Sequence, residues 1–390
     1  MRFKIGNHKI GKEHPVYFIA DIASNHNGDL QKAKELIHAC AESKVDAVKM
    51  QNFTADTIVS DYGFKNLSDV KTHQSQWKTS VYDSYKAASI PLDWTLELKS
   101  LAESLGMDYF TSAYSPELTK AVAPYVSAFK LGSGDITWHE QIELMSGFGK
   151  PILIATGAST LDEVKMAVHA AQKHTEDIIL MQCNTNYTAK KNEDISTTKA
   201  RFSNINLKVL ETYAKLWPNM ALGLSDHTHG HLTVLGAVGL YNCCAVEKHF
   251  TLDSSQEGQD HPFSMMPNEW QEMVDNTALL KKEIKAEDTY KNRYEKVKAI
   301  AKDAEFLDLI IGNGEKKISD NEFNTSIVQR RAIRAKNDMD IGHTIAKQDL
   351  EVLRPCPEDA LPPYKMQEVL GKSLNRNLEK GDYLRLTDFN

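Results

Sequence analysis

Residues 221–227 read A-L-G-L-S-D-H, and residues 243–250 read C-C-A-V-E-K-H-F. Each is a short apolar run that turns polar only at its C-terminal end. That is the pattern of a parallel strand covered on both faces. Six similar runs precede them: V-Y-F-I-A-D-I (16–22), A-V-K-M-Q (47–51), M-D-Y-F-T-S (107–112), A-F-K-L-G-S-G (128–134), P-I-L-I-A-T-G (151–157) and I-I-L-M-Q-C-N (178–184). Amphipathic segments lie between them. One puts Leu30, Ala33, Leu36, Ile37 and Cys40 on a single stripe. Another opens with Thr160 and carries Glu163 three residues later, a capping box. Eight strands with intervening helices predict an α/β fold, a (β/α)8 TIM barrel over 16–285, with a strand or hairpin at 1–15. A doubly wound open sheet is the alternative. It usually carries a glycine-rich nucleotide turn after its first strand, and I-A-S-N-H-N-G (22–28) is not one.

Barrel chemistry sits at the C-terminal strand ends, and here those ends are polar. The first strand ends in Asp21. The second carries Lys49 and Gln51, and the fourth Lys130, Ser133 and Asp135. The sixth is followed by Asn184, Thr185, Asn186 and Tyr187; the last two supply Ser225, Asp226, His227, Glu247 and His249. Glu247 and His249 are two apart on a strand and therefore share a face. Two histidines on neighbouring strand ends, with carboxylates beside them, suggest an open metal site; the alternative is a pair of satisfied core histidines. His229 lies two residues past His227, and spacing alone does not choose between them. A lysine within an apolar strand is costly without an anion, so Lys49 and Lys130 suggest a bound anion such as phosphate, with the Gly132–Gly134 turn beside it. The alternative is a set of structural ion pairs with Asp21, Asp135 or Glu247.

Hydrophobic content of 41%, charged content of 25% and a net charge of -7 suit a water-soluble globular chain without a broad basic surface. Nucleic acid is not an expected partner. No apolar run approaches the ~20 residues that span a bilayer, and the N-terminus lacks a signal-peptide core. The five cysteines show no paired spacing, which fits reduced thiols and a cytoplasmic home.

Past residue 285 the pattern changes. Residues 286–324 are charged and partly helical, then polar, and read as a linker with a solvated face. From 325 to 390 a compact β-rich unit is expected. D-I-G-H-T-I-A-K-Q-D-L (340–350) and E-K-G-D-Y-L-R-L-T-D-F (379–389) form a loose repeat, which suggests pseudo-symmetry. So small a core is marginal alone, so it should dock on the barrel and lend a side chain such as Arg354.

The chain resembles the sialic acid synthase family, enzymes that make N-acetylneuraminate and related nonulosonates. The resemblance rests on I-A-D-I-A-S-N-H-N-G-D-L (19–30), A-V-K-M-Q (47–51), F-K-L-G-S-G-D (129–135), A-T-G-A-S-T (155–160), G-L-S-D-H-T (223–228) and E-K-H-F-T (247–251). The tail, with L-R-P at 353–355, resembles that family's antifreeze-like (SAF) domain. The resemblance implies condensation of phosphoenolpyruvate with an open-chain N-acylated hexosamine. It implies manganese or magnesium on His227 and His249, with D-H-T favouring His227 over His229. It implies Lys49, Lys130, Ser133, Ser225 and Thr185 on phosphoenolpyruvate, and Gln51, Tyr187, Asp260 and Arg354 on the sugar. Asp21, Asp135 and Glu247 are the implied catalytic acids, and Arg354 is implied to come from the neighbouring subunit of a domain-swapped homodimer.

Three features depart from the family pattern: Asp21 in place of a longer Glu, Thr185 in place of Asn or Ser, and the stretch 65–90. They suggest an altered acceptor, among N-acetylmannosamine, 2,4-diacetamido-6-deoxy sugars and mannose. Two competing functions are a lysine Schiff-base aldolase using Lys49 or Lys130 and a non-enzymatic carbohydrate-binding protein.

Overall fold

The computed structural model describes residues 3–67, 74, 77–185, 187 and 194–389. Part of the stretch 65–90 and Asn186 therefore lie outside the described residues. Eight parallel strands close into a barrel: β3 (Tyr17–Asp21), β4 (Ala47–Asn52), β5 (Asp108–Ala113), β6 (Phe129–Leu131), β7 (Ile152–Ala155), β8 (Ile178–Cys183), β9 (Ala221–Asp226) and β10 (Ala245–His249). They fall on the eight apolar runs of the sequence. Closure pairs the last strand with the first, so that His249 sits beside Asp21, and Asp21 beside Lys49.

The helices form where the sequence provides their ends. In Leu30–Glu42 the Asp29 carboxylate accepts from the Gln31 and Lys32 N–H groups, and Ala33, Leu36, Ile37 and Cys40 are buried. Leu161–Gln172 opens with the expected capping box of Thr160 and Glu163.

Residues 286–324 are not a solvated linker. They contribute helices Tyr290–Ile300 and Leu307–Ile311, whose Val297, Leu307 and Ile310 join the barrel's main core. The apolar helix Leu232–Tyr241 explains why. Every one of its residues is buried, so its outer side needs a second cover. Close approach is made possible by glycine. A Cβ at Gly239 would lie 2.3 Å from Val297, and one at Gly236 would lie 2.9 Å from Ile310.

The C-terminal unit pairs β11 (Ala332–Ala335) with β12 (Leu350–Leu353) around its own core of Ile333, Ile345, Val369, Leu374 and Leu384. The repeat is structural. Met339 and Leu378 exchange backbone hydrogen bonds at 2.8 Å in both directions. Asp349 and Asp388 end matching 3-10 turns and each accept a backbone N–H three residues back, at 2.8 Å.

At the opposite end of the barrel, the hairpin of β1 (Phe3–Ile5) and β2 (His8–Ile10) adds Phe3, Ile5 and Ile10 to the core. Its turn must be glycine. Gly6 has φ +51°, and a Cβ there would lie 1.8 Å from the Asp108 carboxylate. Tyr17 and His8 both donate to Asp108 at 2.8 Å, and His8 lies 3.5 Å from Asp46. The hydrogen bond to Asp108 raises the His8 pKa above its ordinary 6.5. The hairpin clasp is therefore complete below that value and weakens as pH rises through the raised one. Replacing His8 by Gln is expected to lower the melting temperature more at about pH 6 than at about pH 9. Equal losses at both values would show that the imidazolium does not hold the hairpin.

Candidate active site

The polar strand ends meet in one cavity lined by Asp21, Lys49, Gln51, Lys130, Ser133, Ser225, His227, Glu247, His249, Tyr187, Asp260 and Arg354. Its charges alternate across strands. Lys49 lies 2.7 Å from Asp21 and 3.2 Å from Glu247, and Lys130 lies 3.1 Å from the other oxygen of Glu247. Gln51 donates to Asp21 at 3.3 Å. Burial works against the Lys49 ammonium, yet Asp21 and Glu247 outweigh it and raise its pKa. Burial likewise pushes the Glu247 carboxyl up, but Lys130 and Lys49 hold it down at about 2. Both lysines are thus engaged in ion pairs, as the structural alternative expected.

Glu247 and His249 share the cavity face as expected, while the intervening Lys248 points the other way and pairs with Asp226. Asp226 also accepts from Thr228 at 2.8 Å and Thr233 at 2.7 Å, and Lys248 donates to the Thr228 carbonyl at 2.7 Å. This buried cluster fixes the turn that carries His227. Sequence reading had placed Asp226 only at a strand end.

His227 and His249 lie with ring centroids 5.4 Å apart. His227 Nδ1 lies 3.1 Å from the Asn184 carbonyl, which only accepts, so that nitrogen carries the proton and Nε2 keeps its lone pair. Burial, with His249 adding to it, lowers the His227 pKa to about 3, so the ring is neutral. His249 Nδ1 is buried with no hydrogen-bond partner, and its Nε2 lies 3.6 Å from Asp21. Among the described residues no group of three or more His, Cys, Asp or Glu forms a ready metal cage. The two imidazoles nonetheless fit a divalent ion whose other positions are left to water or substrate: one presents a free lone pair, and the other has an orphaned nitrogen.

Two of the expected site residues do not line the cavity. Thr185 gives its backbone N–H (2.7 Å) and hydroxyl (3.0 Å) to Glu322, which also accepts from Ala158 N–H at 2.8 Å. Asp135 is held by Arg331, a fully buried residue absent from the sequence reading. Arg331 Nε donates to Asp135 at 2.7 Å, and its other nitrogens donate to the carbonyls of Thr57, Val352 and Tyr114. Asp135 lies 3.6 Å from Arg354 Nη2 and so orients that guanidinium from behind. Arg354 also donates to Gln329 at 2.5 Å and Tyr85 at 3.3 Å. Its backbone is seated by Ile58 and Ser60, through hydrogen bonds of 3.0 and 2.8 Å. In the single chain Arg354 lines the cavity of its own barrel.

Three comparisons with known proteins bear on this arrangement, a parallel barrel whose strand-end cavity is roofed by a separate β-rich unit. The NeuB family profile matches residues 36–289, and the SAF domain profile matches 330–390. The chain belongs to the NeuB family. An N,N'-diacetyllegionaminic acid synthase of Legionella pneumophila is 31% identical over 380 residues, covering 96% of this chain and 94% of that one. A pseudaminic acid synthase of Campylobacter jejuni is 26% identical over 391 residues, 99% of each chain. The human N-acetylneuraminate-9-phosphate synthase is 27% identical over 275 residues, 70% of this chain and 72% of its own. Among solved structures, the spore coat polysaccharide biosynthesis protein SpsE of Bacillus subtilis aligns with a TM-score of 0.76 at 24% identity, over 100% of this chain and 99% of that one. That likeness shows the fold alone.

Removing the Asp135 charge leaves Arg331 buried and unpaired. Asp135→Asn is expected to cost about 3–5 kcal/mol in urea unfolding. The double variant Asp135→Asn/Arg331→Met should lose less than the sum of the single losses. Additive losses would mean that the two residues do not act as a pair.

Proposed function

We propose that this chain is a nonulosonic acid synthase that joins phosphoenolpyruvate to an open-chain N-acylated hexosamine and releases phosphate. The observation that carries this reading is the meeting of two strand lysines, Lys49 and Lys130, with two histidines, His227 and His249, in one cavity roofed by Arg354. The named relatives support it, since they are nonulosonate synthases. In this reading Lys49, Lys130, Ser133 and Ser225 bind the phosphate and carboxylate of phosphoenolpyruvate and orient its enol. Gln51, Tyr187, Asp260 and Arg354 hold the acceptor. C3 of the enol attacks the aldehyde carbon, whose oxygen gains negative charge. His227 and His249 would hold manganese or magnesium, which supplies a Lewis acid for that oxygen. Water then adds to C2, and phosphate leaves with cleavage of the C–O bond.

In this reading Glu247 or Asp21 takes the proton from that water. At a pKa of about 2 Glu247 is a weak base while both lysines hold it. Phosphate bound between the lysines relieves that hold, and the carboxylate regains basicity. Asp135 acts through Arg354 rather than on the reactants, and Thr185 shapes the turn after β8.

The Schiff-base route through Lys49 is disfavoured by the same geometry. An imine needs a neutral amine, and Asp21 and Glu247 keep Lys49 protonated. Borohydride with pyruvate should leave activity intact. A cytoplasmic home belongs to this reading too; among the described residues no helix is long and apolar enough to cross a membrane. An exchanged homodimer, in which the C-terminal unit of one chain roofs the cavity of the other, belongs to this reading too.

Phosphate release from phosphoenolpyruvate is expected with manganese and one sugar of a panel of N-acylated hexosamines, and to stop with EDTA. Lys130→Met should lower kcat/KM by on the order of 10²–10³. Release that survives EDTA would remove the metal from the mechanism, and no release with any sugar would remove the synthase reading.

A further inference from the structure

Glu322 lies in the segment between the barrel and the C-terminal unit, at the end of the 3-10 turn Asp320–Glu322. It is 1% exposed and does not itself line the cavity. One of its carboxylate oxygens accepts the Ala158 N–H at 2.8 Å, the Thr185 N–H at 2.7 Å and the Thr185 hydroxyl at 3.0 Å. The other accepts the Ser319 N–H at 3.3 Å. Ala158 follows β7 and Thr185 follows β8, so one side chain ties two barrel turns together. The neighbouring Asn321 amide exchanges hydrogen bonds with that of Asn184, at 2.9 and 3.3 Å.

Both turns lead from Glu322 to cavity residues. The Thr185 N–H and the Asn184 carbonyl belong to one planar peptide group. Glu322 holds the N–H end, and the carbonyl end faces Nδ1 of His227 at 3.1 Å. Pinning one end of a planar group fixes the direction of the other. A charged acceptor on the N–H also polarises the carbonyl, which strengthens the hydrogen bond that the carbonyl receives. On the other turn, Ala158 has φ +46°, a conformation that a residue with a Cβ keeps only where its surroundings impose it. Glu322 takes the Ala158 N–H, and Arg330 donates to the Ala158 carbonyl at 2.6 Å. The adjacent Gly157 N–H donates to the Ser133 hydroxyl at 2.9 Å. A Cβ at Gly157 would lie 2.3 Å from the Thr185 side chain, so the two turns are packed against each other.

We propose that Glu322 is a positioning residue of the site: through the peptide between Asn184 and Thr185 it sets the His227 ring, and through Ala158 and Gly157 it sets the Ser133 hydroxyl. The inference deepens the synthase reading and rests on it for a metal at His227 and His249.

The test is manganese binding to the full chain without substrates, read from the paramagnetic resonance signal of the free ion, alongside kinetics with phosphoenolpyruvate. Glu322→Ala should raise the manganese Kd about tenfold and raise the KM for phosphoenolpyruvate. Glu322→Gln keeps an acceptor oxygen for both turns and should recover part of that affinity. Ile310→Ala removes buried packing from the same segment without touching either turn. It should lower the melting temperature and leave the manganese Kd unchanged, which separates positioning from lost stability. If Glu322→Ala does not fold, Glu322→Asp, one methylene shorter, takes its place with the same expected direction. An unchanged manganese Kd in the folded variant, or an equal rise in Ile310→Ala, overturns the inference, as does a wild-type chain that binds no manganese. Manganese binding that weakens in the Glu322 variant, in a chain that consumes no phosphoenolpyruvate with any acceptor, overturns the synthase reading and supports the positioning role.

Discussion

Four buried charges in alternating order, Asp21, Lys49, Glu247 and Lys130, form the interaction on which the site depends. None of them would be tolerated alone inside a barrel, because an unpaired ion in low dielectric costs several kcal/mol. Together they compensate one another across β3, β4, β6 and β10. This chain of charges requires the barrel to be closed, since Asp21 on the first barrel strand and His249 on the last are register partners. In the proposed function a substrate anion takes the place of a carboxylate, so that neither lysine is left bare.

A second set of buried cations fastens the roof. Arg330 grips Glu163 at 2.5 and 2.7 Å, Arg331 grips Asp135, and Arg334 donates to carbonyls within the C-terminal unit. Each guanidinium meets planar or carbonyl acceptors that suit its fixed fork of donors. Within the run R-R-A-I-R, Arg330 and Arg331 tie the small β unit to the barrel, and Arg334 braces that unit internally. That unit carries Arg354, seated between the barrel's own Ile58 and Ser60. The cavity under this roof is lined by the cations Lys49, Lys130 and Arg354.

Much of this was legible in the sequence. The eight apolar runs became the eight strands, because a strand buried on both faces has no polar alternation to blur it. Thr160 and Glu163 capped their helix, and the tail's near-repeat became two matching turns. The resemblance carried by the strand-end motifs agreed with the family profiles. The segment 286–324 misled, because helices that cover another helix bury only a few residues each. Val297, Leu307 and Ile310 are too sparse among charges to stand out. The partners of Asp135 and Thr185 were not legible, for a different reason. Each stands next to a strand end, and only a partner from the far end of the chain, Arg331 or Glu322, shows that it is already engaged.

The sequence by itself determined what depends on near neighbours along the chain: strand and helix positions, caps, and the shared face of Glu247 and His249. Each follows from a local period of two residues or of three to four. The tertiary structure alone decided which charges neutralise which and which nitrogen of His227 is free. Those outcomes depend on distances between residues as far apart in sequence as Asp21 and Glu247. No local period encodes such distances, and barrel closure sets them.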